Sequence, residues 1–219
     1  TLIYNIADTF FVSMAKVPAM IAAVTLCAPI LLIIMSIACI FGMGGSSVIA
    51  RLIGEGEQTK ARQTFRFCVY AMILSGIIVL IAGLVCLRPL ANLVGADADT
   101  FQYTCDYLKY LFIGAPFIMI ANGYVHLFRS VGMVKESTFA LVMGNVINII
   151  LDYVLIVVIP LGTAGAAIAT SVGFACSTCY CLICTGVKQT KGDVLISISP
   201  KLTEHYPGMM RNVVSIGIP

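Results

Sequence analysis

Apolar residues come in long unbroken runs along this chain. Residues 17–50 carry no charge, nor do 67–87 or 110–128, and between 137 and 187 the only charged side chain is Asp152. A helix that crosses a bilayer needs about 20 apolar residues, whereas a barrel strand would alternate with period two. The runs therefore predict helices: one in 17–50 with a polar tail, one in 67–87, one in 110–128 and two in 137–187. The last pair is divided at "IPLGTAG" (159–165), where Pro and Gly favour a tight turn. Residues 1–15, "TLIYNIADTFFVSMA", read as the rear part of a further span and lack the n-region of a signal peptide. Residues 209–219, "MMRNVVSIGIP", read as the opening of another. The expectation is an all-α membrane protein, a bundle of six transmembrane helices truncated at both ends. Residues 1–187 would form the bundle, with its first helix partial, and 188–219 a cytoplasmic linker plus the start of a seventh helix.

Composition agrees with that pattern. The 219 residues are 60% apolar and 11% charged, with a mean hydropathy of +1.02, against about 45–50% and about 25% in soluble domains. So little charge cannot cover a water-facing surface. The net charge of +3 gives no reason to propose nucleic acid as a partner. With the spans numbered 1 to 6, the loops after spans 2, 4 and 6 hold Arg51, Lys60, Arg62, Arg66, Arg129, Lys135, Lys188, Lys191, Lys201 and Arg211. The opposite side holds only Lys16, Arg88 and Lys109. Basic residues collect on the cytoplasmic side, so those three loops are expected in the cytoplasm of a multi-pass inner (plasma) membrane protein of bacterial type.

One stretch breaks the apolar pattern. "GNVINIILDYVLIV" (144–157) carries Asn145, Asn148 and Asp152 inside a predicted span. At 3.6 residues per turn the three side chains fall within about 60° of arc. They form a polar stripe that costs too much facing lipid, since a mid-bilayer carboxylate costs roughly 2.5–3.5 kcal/mol on insertion scales. The stripe must face the bundle interior. An amide carbonyl one turn from a carboxylate is a pair of hard oxygens, suited to a proton or a small cation, with further oxygens from other helices. Asp8 in the first span, with Asn5 on the same side, and Thr170 in the sixth are the available partners. No basic residue at mid-membrane neutralises Asp8 or Asp152, and burial or a second carboxylate raises a carboxyl pKa. This is the setting of a Na+ or H+ coupling site.

Other features read as structural. "CSTCYCLIC" (176–184) has the spacing of a ligand cluster, but on a helix Cys179 and Cys181 point about 200° apart, so four thiols cannot close around one ion. No metal is expected beyond Na+ at the coupling site, and no disulfide framework. Gly54 and Gly56 in "RLIGEGEQTKARQTFR" (51–66) lack the Lys-Ser/Thr ending of a phosphate loop, so this segment, charged and helical in tendency, reads as a solvated connector. "GMGGSS" (42–47) suits close helix packing. Pro29 and Pro116 lie inside spans and predict bends, as static kinks or as hinges, and His126 is expected to pack at the interface.

Together, "YNIADTFFV", "AAVTLCAPI", "GMGGSSVIARLIGEGE", "GNVINIILDYVLI" and "GTAGAAIATSVG", in that order along the whole chain, resemble the multidrug and toxic compound extrusion (MATE) family, in its DinF-like branch. The resemblance implies the N-lobe of a twelve-helix secondary transporter with a C-lobe as partner. It implies export of organic cations, drugs or metabolites, amphipathic small molecules, in exchange for Na+ or H+, with no other cofactor and no enzymatic activity. It also implies a cation site on Asp8, Asn148, Asp152 and Thr170, with Asn5 and Asn145 as additional candidates. The competing readings are a lipid-linked oligosaccharide flippase of the same superfamily, whose cavity would need basic residues, and a non-transporting fragment. An intramembrane aspartyl protease would carry its Asp in a Gly-x-Gly-Asp context, which Asp152 lacks.

Overall fold

The structure, a computed structural model, describes residues 17–190, the side chains of 189 and 190 excepted, and residues 208–217. The readings on Asn5 and Asp8, and those on the linker at 191–207, lie outside the described residues. Every described element is a helix. They are α1 (Pro18–Gly54), α2 (Gln58–Val85), the short α3 (Leu87–Leu93), α4 (Phe101–Ser130), α5 (Val134–Asp152), a π-helical segment (Tyr153–Val158), α6 (Gly162–Thr190) and α7 (Met209–Gly217). Among the described residues, five helices are long and apolar enough to cross a membrane: α1, α2, α4, α5 with its π segment, and α6. They correspond to spans 2 to 6 of the sequence reading.

Local chemistry sets several ends. α1 opens with Pro18 in its first turn, where the missing N–H has no helical partner to lose, and closes with Arg51 in its last. The charged connector expected over 51–66 is much shorter than that. Only 55–57 separate α1 from α2, with Gly56 at φ 79° making the reversal. The flanking charged residues are good helix formers, so both helices extend out of the apolar zone. α6 runs to Thr190, three residues past the boundary at 187. The turn at 159–165 is present as a tight link, with Gly162 at φ 60° starting α6.

α4 is the central helix. It packs against α1, α2, α5 and α6, and 72% of its most apolar stretch is buried, against 22–39% for the other four spans. Lipid has no preference for exposing Leu over packing it, so close approach of backbones must come from small residues and interhelical hydrogen bonds. Both devices are present. A Cβ on Gly42 would sit 3.0 Å from the Gly123 Cα, one on Gly76 2.7 Å from the Pro116 Cα, and one on Gly44 2.9 Å from the Gly217 nitrogen of α7. The "GMGGSS" run is therefore a packing surface, as its composition suggested. Along the α4–α6 seam, the hydroxyls of Thr163, Ser171 and Thr178 each donate to a backbone oxygen, of Tyr103, Tyr110 and Phe117, at 3.0 Å. The spacing of seven or eight residues matches two helical turns, so the three bonds form a ladder down one face.

The apolar core divides into two clusters, one around Ile34, Leu108, Leu111 and Ile118 and one around Ile49, Phe65, Tyr124 and Phe128 at the basic end. The Tyr124 ring stands edge-on to Phe65 and Phe128, with centroids at 6.0 and 5.2 Å, the arrangement favoured by ring quadrupoles. Leu74, Ile78 and Ile81 on α2 and Phe139, Val146 and Ile150 on α5 are exposed, as a lipid-facing belt requires.

Candidate functional site

The polar stripe of α5 faces inward. Asp152 is fully buried and Asn148 is 4% exposed, while Asn145 is half-buried. Val146 and Ile150, on the opposite side of the same helix, are exposed. The helical arc computed from the sequence thus matches the burial seen. Asn148 Nδ2 donates to Thr170 Oγ1 of α6 at 3.4 Å, a long and weak bond in a buried position. Thr170 is itself 1% exposed. The structure therefore brings Asn148 and Thr170 together and sets Asp152 one turn further along the same buried face.

Two glycines bring that pair into contact. A Cβ on Gly173 would lie 2.8 Å from the Gly144 carbonyl oxygen and 3.0 Å from the Asn148 Cβ. A Cβ on Gly144 would lie 3.0 Å from the Gly173 carbonyl oxygen. The α5 and α6 backbones touch at this crossing, and Ser177 fastens it by donating to the Ala140 oxygen. Gly173 lies one turn from Thr170, and Gly144 one turn from Asn148, so the crossing fixes the hydrogen-bonded pair directly beside it.

Asp152 is the last α-helical residue before the π segment. The wider turn is closed by Ile159 N–H donating to the Val154 oxygen at 2.9 Å and Leu161 N–H to the Leu155 oxygen at 2.8 Å. Gly165 allows α6 to come up against this turn, since a Cβ there would lie 2.8 Å from the Leu155 oxygen. Short π segments occur mostly inside α-helices and often at functional sites. Sequence reasoning missed it. The nearest signal was Pro160, which lacks an N–H and ends the regular helix.

A cavity of about 30 Å³ adjoins Asn148 and Thr170, enough for about two water molecules. Among the described residues its polar lining is Asn122, Asn145, Asn148, Thr170 and Ser177, with no Lys or Arg. Sequence reasoning did not single out Asn122, which lies on α4 and carries no pattern of its own. The amide carbonyls and hydroxyls of this lining are hard oxygens suited to a proton or a small hard cation, and the Asp152 carboxylate lies outside the lining, one turn beyond Asn148 on α5. Among the described residues no three His, Cys, Asp or Glu side chains are grouped to hold a metal ion. In the cysteine run Cys179 is exposed while Cys181 is buried, so these thiols diverge as their helical spacing requires. His126 is half-buried and packs near Gly42 of α1.

A family model described as MatE matches residues 1–154. The chain belongs to the MatE family. Over all 219 residues this MatE chain is 29% identical to the multidrug export protein MepA of Staphylococcus aureus (strain MRSA252), covering 48% of that protein. The structure of a MATE protein in the straight conformation superposes with a TM-score of 0.91 at 27% identity, covering 100% of this chain and 48% of that one. A MOP superfamily transporter from Pyrococcus furiosus, described by the reverse polarity of its binding pocket, superposes with a TM-score of 0.90 at 27% identity, over 100% and 47% of the two chains. The chain spans about half the length of the curated relatives it matches, and its fold is that of the N-lobe half of a MATE transporter.

Proposed function

We propose that this chain is the N-lobe of a secondary transporter that exports organic cations, drugs or metabolites by antiport with Na+ or H+. Asp152 is the coupling carboxylate, Asn148 and Thr170 supply neutral oxygens, and Asp8, with Asn5 nearby, contributes from the preceding span. The observation that carries the reading is the burial of Asp152 and the Asn148–Thr170 pair inside a bundle of MatE fold. The MepA relatives, named for multidrug export, support the substrate class. The apolar runs 17–50, 67–87, 110–128 and 137–187 carry no Lys or Arg, which supports efflux over a flippase, since a pyrophosphate would call for basic residues.

A cation at this site changes transport only through its differential affinity for two conformations of the lobe. Binding at Asp152 would favour one arrangement of α5 and α6 and weaken drug binding in the adjoining cleft. The second lobe supplies the other wall of that cleft, and residues 188–219 link the two lobes. Arg51, Lys60, Arg129 and Lys135 lie at the cytoplasmic end. Asp152→Asn is the test. The variant should fold and insert, because an amide is isosteric and uncharged. Its transport and its thermal stability should lose their dependence on Na+ and pH. Unaltered sodium and pH dependence would refute the assignment.

A further inference from the structure

The cavity beside Asn148 and Thr170 has a direction. Its lining runs from Asn148 back through Asn145 and Gly144 to Leu141 on α5, from Ala121 on to Val125 on α4, and from Thr170 on to Ser177 on α6. α4 and α6 run toward the basic end of the bundle and α5 runs away from it. All three tracks therefore lead the same way, from the Asn148–Thr170 pair toward the end that carries Arg129 and Lys135. Seven residues of helix rise about 10 Å, which is the length of helix along which these lining residues are spread. In the other direction the bundle is closed by the fully buried Leu108, Leu111, Ala166 and Ala167.

Among the described residues, the polar groups along this track are all neutral. Asn122 donates through Nδ2 to the Ile118 oxygen at 2.8 Å, which leaves its carbonyl oxygen available to the cavity. The Asn145 side chain makes no hydrogen bond among the described residues. The cavity has room for about two waters. A small cation leaving a carboxylate for apolar surroundings would lose its shell of oxygens at great cost. A second carboxylate would trap it. Neutral carbonyls and a few waters do neither, and a passage must bind an ion well enough to admit it and weakly enough to release it.

We propose that this cavity is the hydrated route by which the coupling cation exchanges between the Asn148–Thr170 pair, one turn from Asp152, and the basic-loop side of the membrane. Asn122 and Asn145 replace part of its water shell, and Val125 and Leu141 form the apolar gate at the end of the route. The proposal rests on the assignment of Asp152 and Asn148 as the coupling site.

Two measurements on the intact transporter test it. In a cysteine-free background of the intact transporter, Val125→Cys is treated with a membrane-impermeant methanethiosulfonate in vesicles of each orientation. Labelling is expected from the basic-loop face and not from the other. With the native cysteines retained, Ala121→Leu narrows the cavity. It should slow cation exchange severalfold while leaving the equilibrium cation-dependent shift in thermal stability in place, a split that a general packing defect would not produce. Labelling from the opposite face alone or from neither face, or exchange by Ala121→Leu at the wild-type rate, overturns the route. If Asp152→Asn keeps its cation dependence, the coupling assignment falls and the route with it. If Asp152→Asn loses that dependence while either measurement above fails, the route alone falls.

Discussion

The α5–α6 crossing makes a sharp prediction at Gly173. An Ala there would place a methyl 2.8 Å from the Gly144 carbonyl oxygen and 3.0 Å from the Asn148 Cβ. The first neighbour is backbone and cannot rotate away. Ordinary van der Waals contact begins near 3.4 Å, so the helices must part locally by about 0.6 Å. The Asn148–Thr170 hydrogen bond stands at 3.4 Å. The same displacement carries it toward about 4.0 Å, past the limit at which such a contact counts as a bond. Overpacking of this kind costs about 1–3 kcal/mol. Gly186→Ala on the same helix is the control, because a Cβ there meets nothing within 4 Å, and replacing an exposed helical Gly gains about 0.5–1 kcal/mol. Thermal unfolding of purified variants, with and without Na+ and across pH, should give a lowered midpoint and a reduced cation-dependent shift for Gly173→Ala. Gly186→Ala should keep the wild-type cation shift and a midpoint no lower than wild type. Wild-type stability together with a full cation response in Gly173→Ala would refute the argument that this crossing holds the pair in register.

Two further outcomes test the packing and the orientation of the helices. Removing the α4–α6 hydroxyl ladder with Thr163→Val, Ser171→Ala and Thr178→Val together should cost about 2 kcal/mol, taking about 0.6 kcal/mol per interhelical bond in a membrane. An unfolding midpoint equal to wild type would mean that the three bonds contribute nothing net. Ile150 is exposed on the face of α5 opposite the polar stripe, so Ile150→Asp should raise the insertion cost of that span by about 3 kcal/mol, measured as a lower inserted fraction in a membrane-insertion assay. Insertion at the wild-type level would mean that this face does not meet lipid.

Much of the fold was legible in the residues because it depends on local quantities. The length of each apolar run sets a span, and five of the predicted spans are helices within the described residues. The turn at 159–165 follows from Pro and Gly in the same way. The inward face of α5 was fixed by 100° of rotation per residue, and Asn148 and Asp152 are buried as that arc requires. The motif order carried the resemblance to the MATE family that the comparisons bear out.

What the tertiary structure decided lies between helices. That Thr170 hydrogen-bonds to Asn148, 22 residues away, depends on how closely α5 and α6 approach. That approach is set by Gly144 and Gly173 meeting across the crossing. Neither glycine differs in sequence from Gly54 or Gly186, beside which a Cβ would meet nothing within 4 Å. The π turn after Asp152 and the cavity reaching Asn122 have the same origin. Hydrophobicity and helical period are properties of one segment and can be read from it alone. Contact distances depend on the relative placement of two segments, and only the folded bundle fixes that.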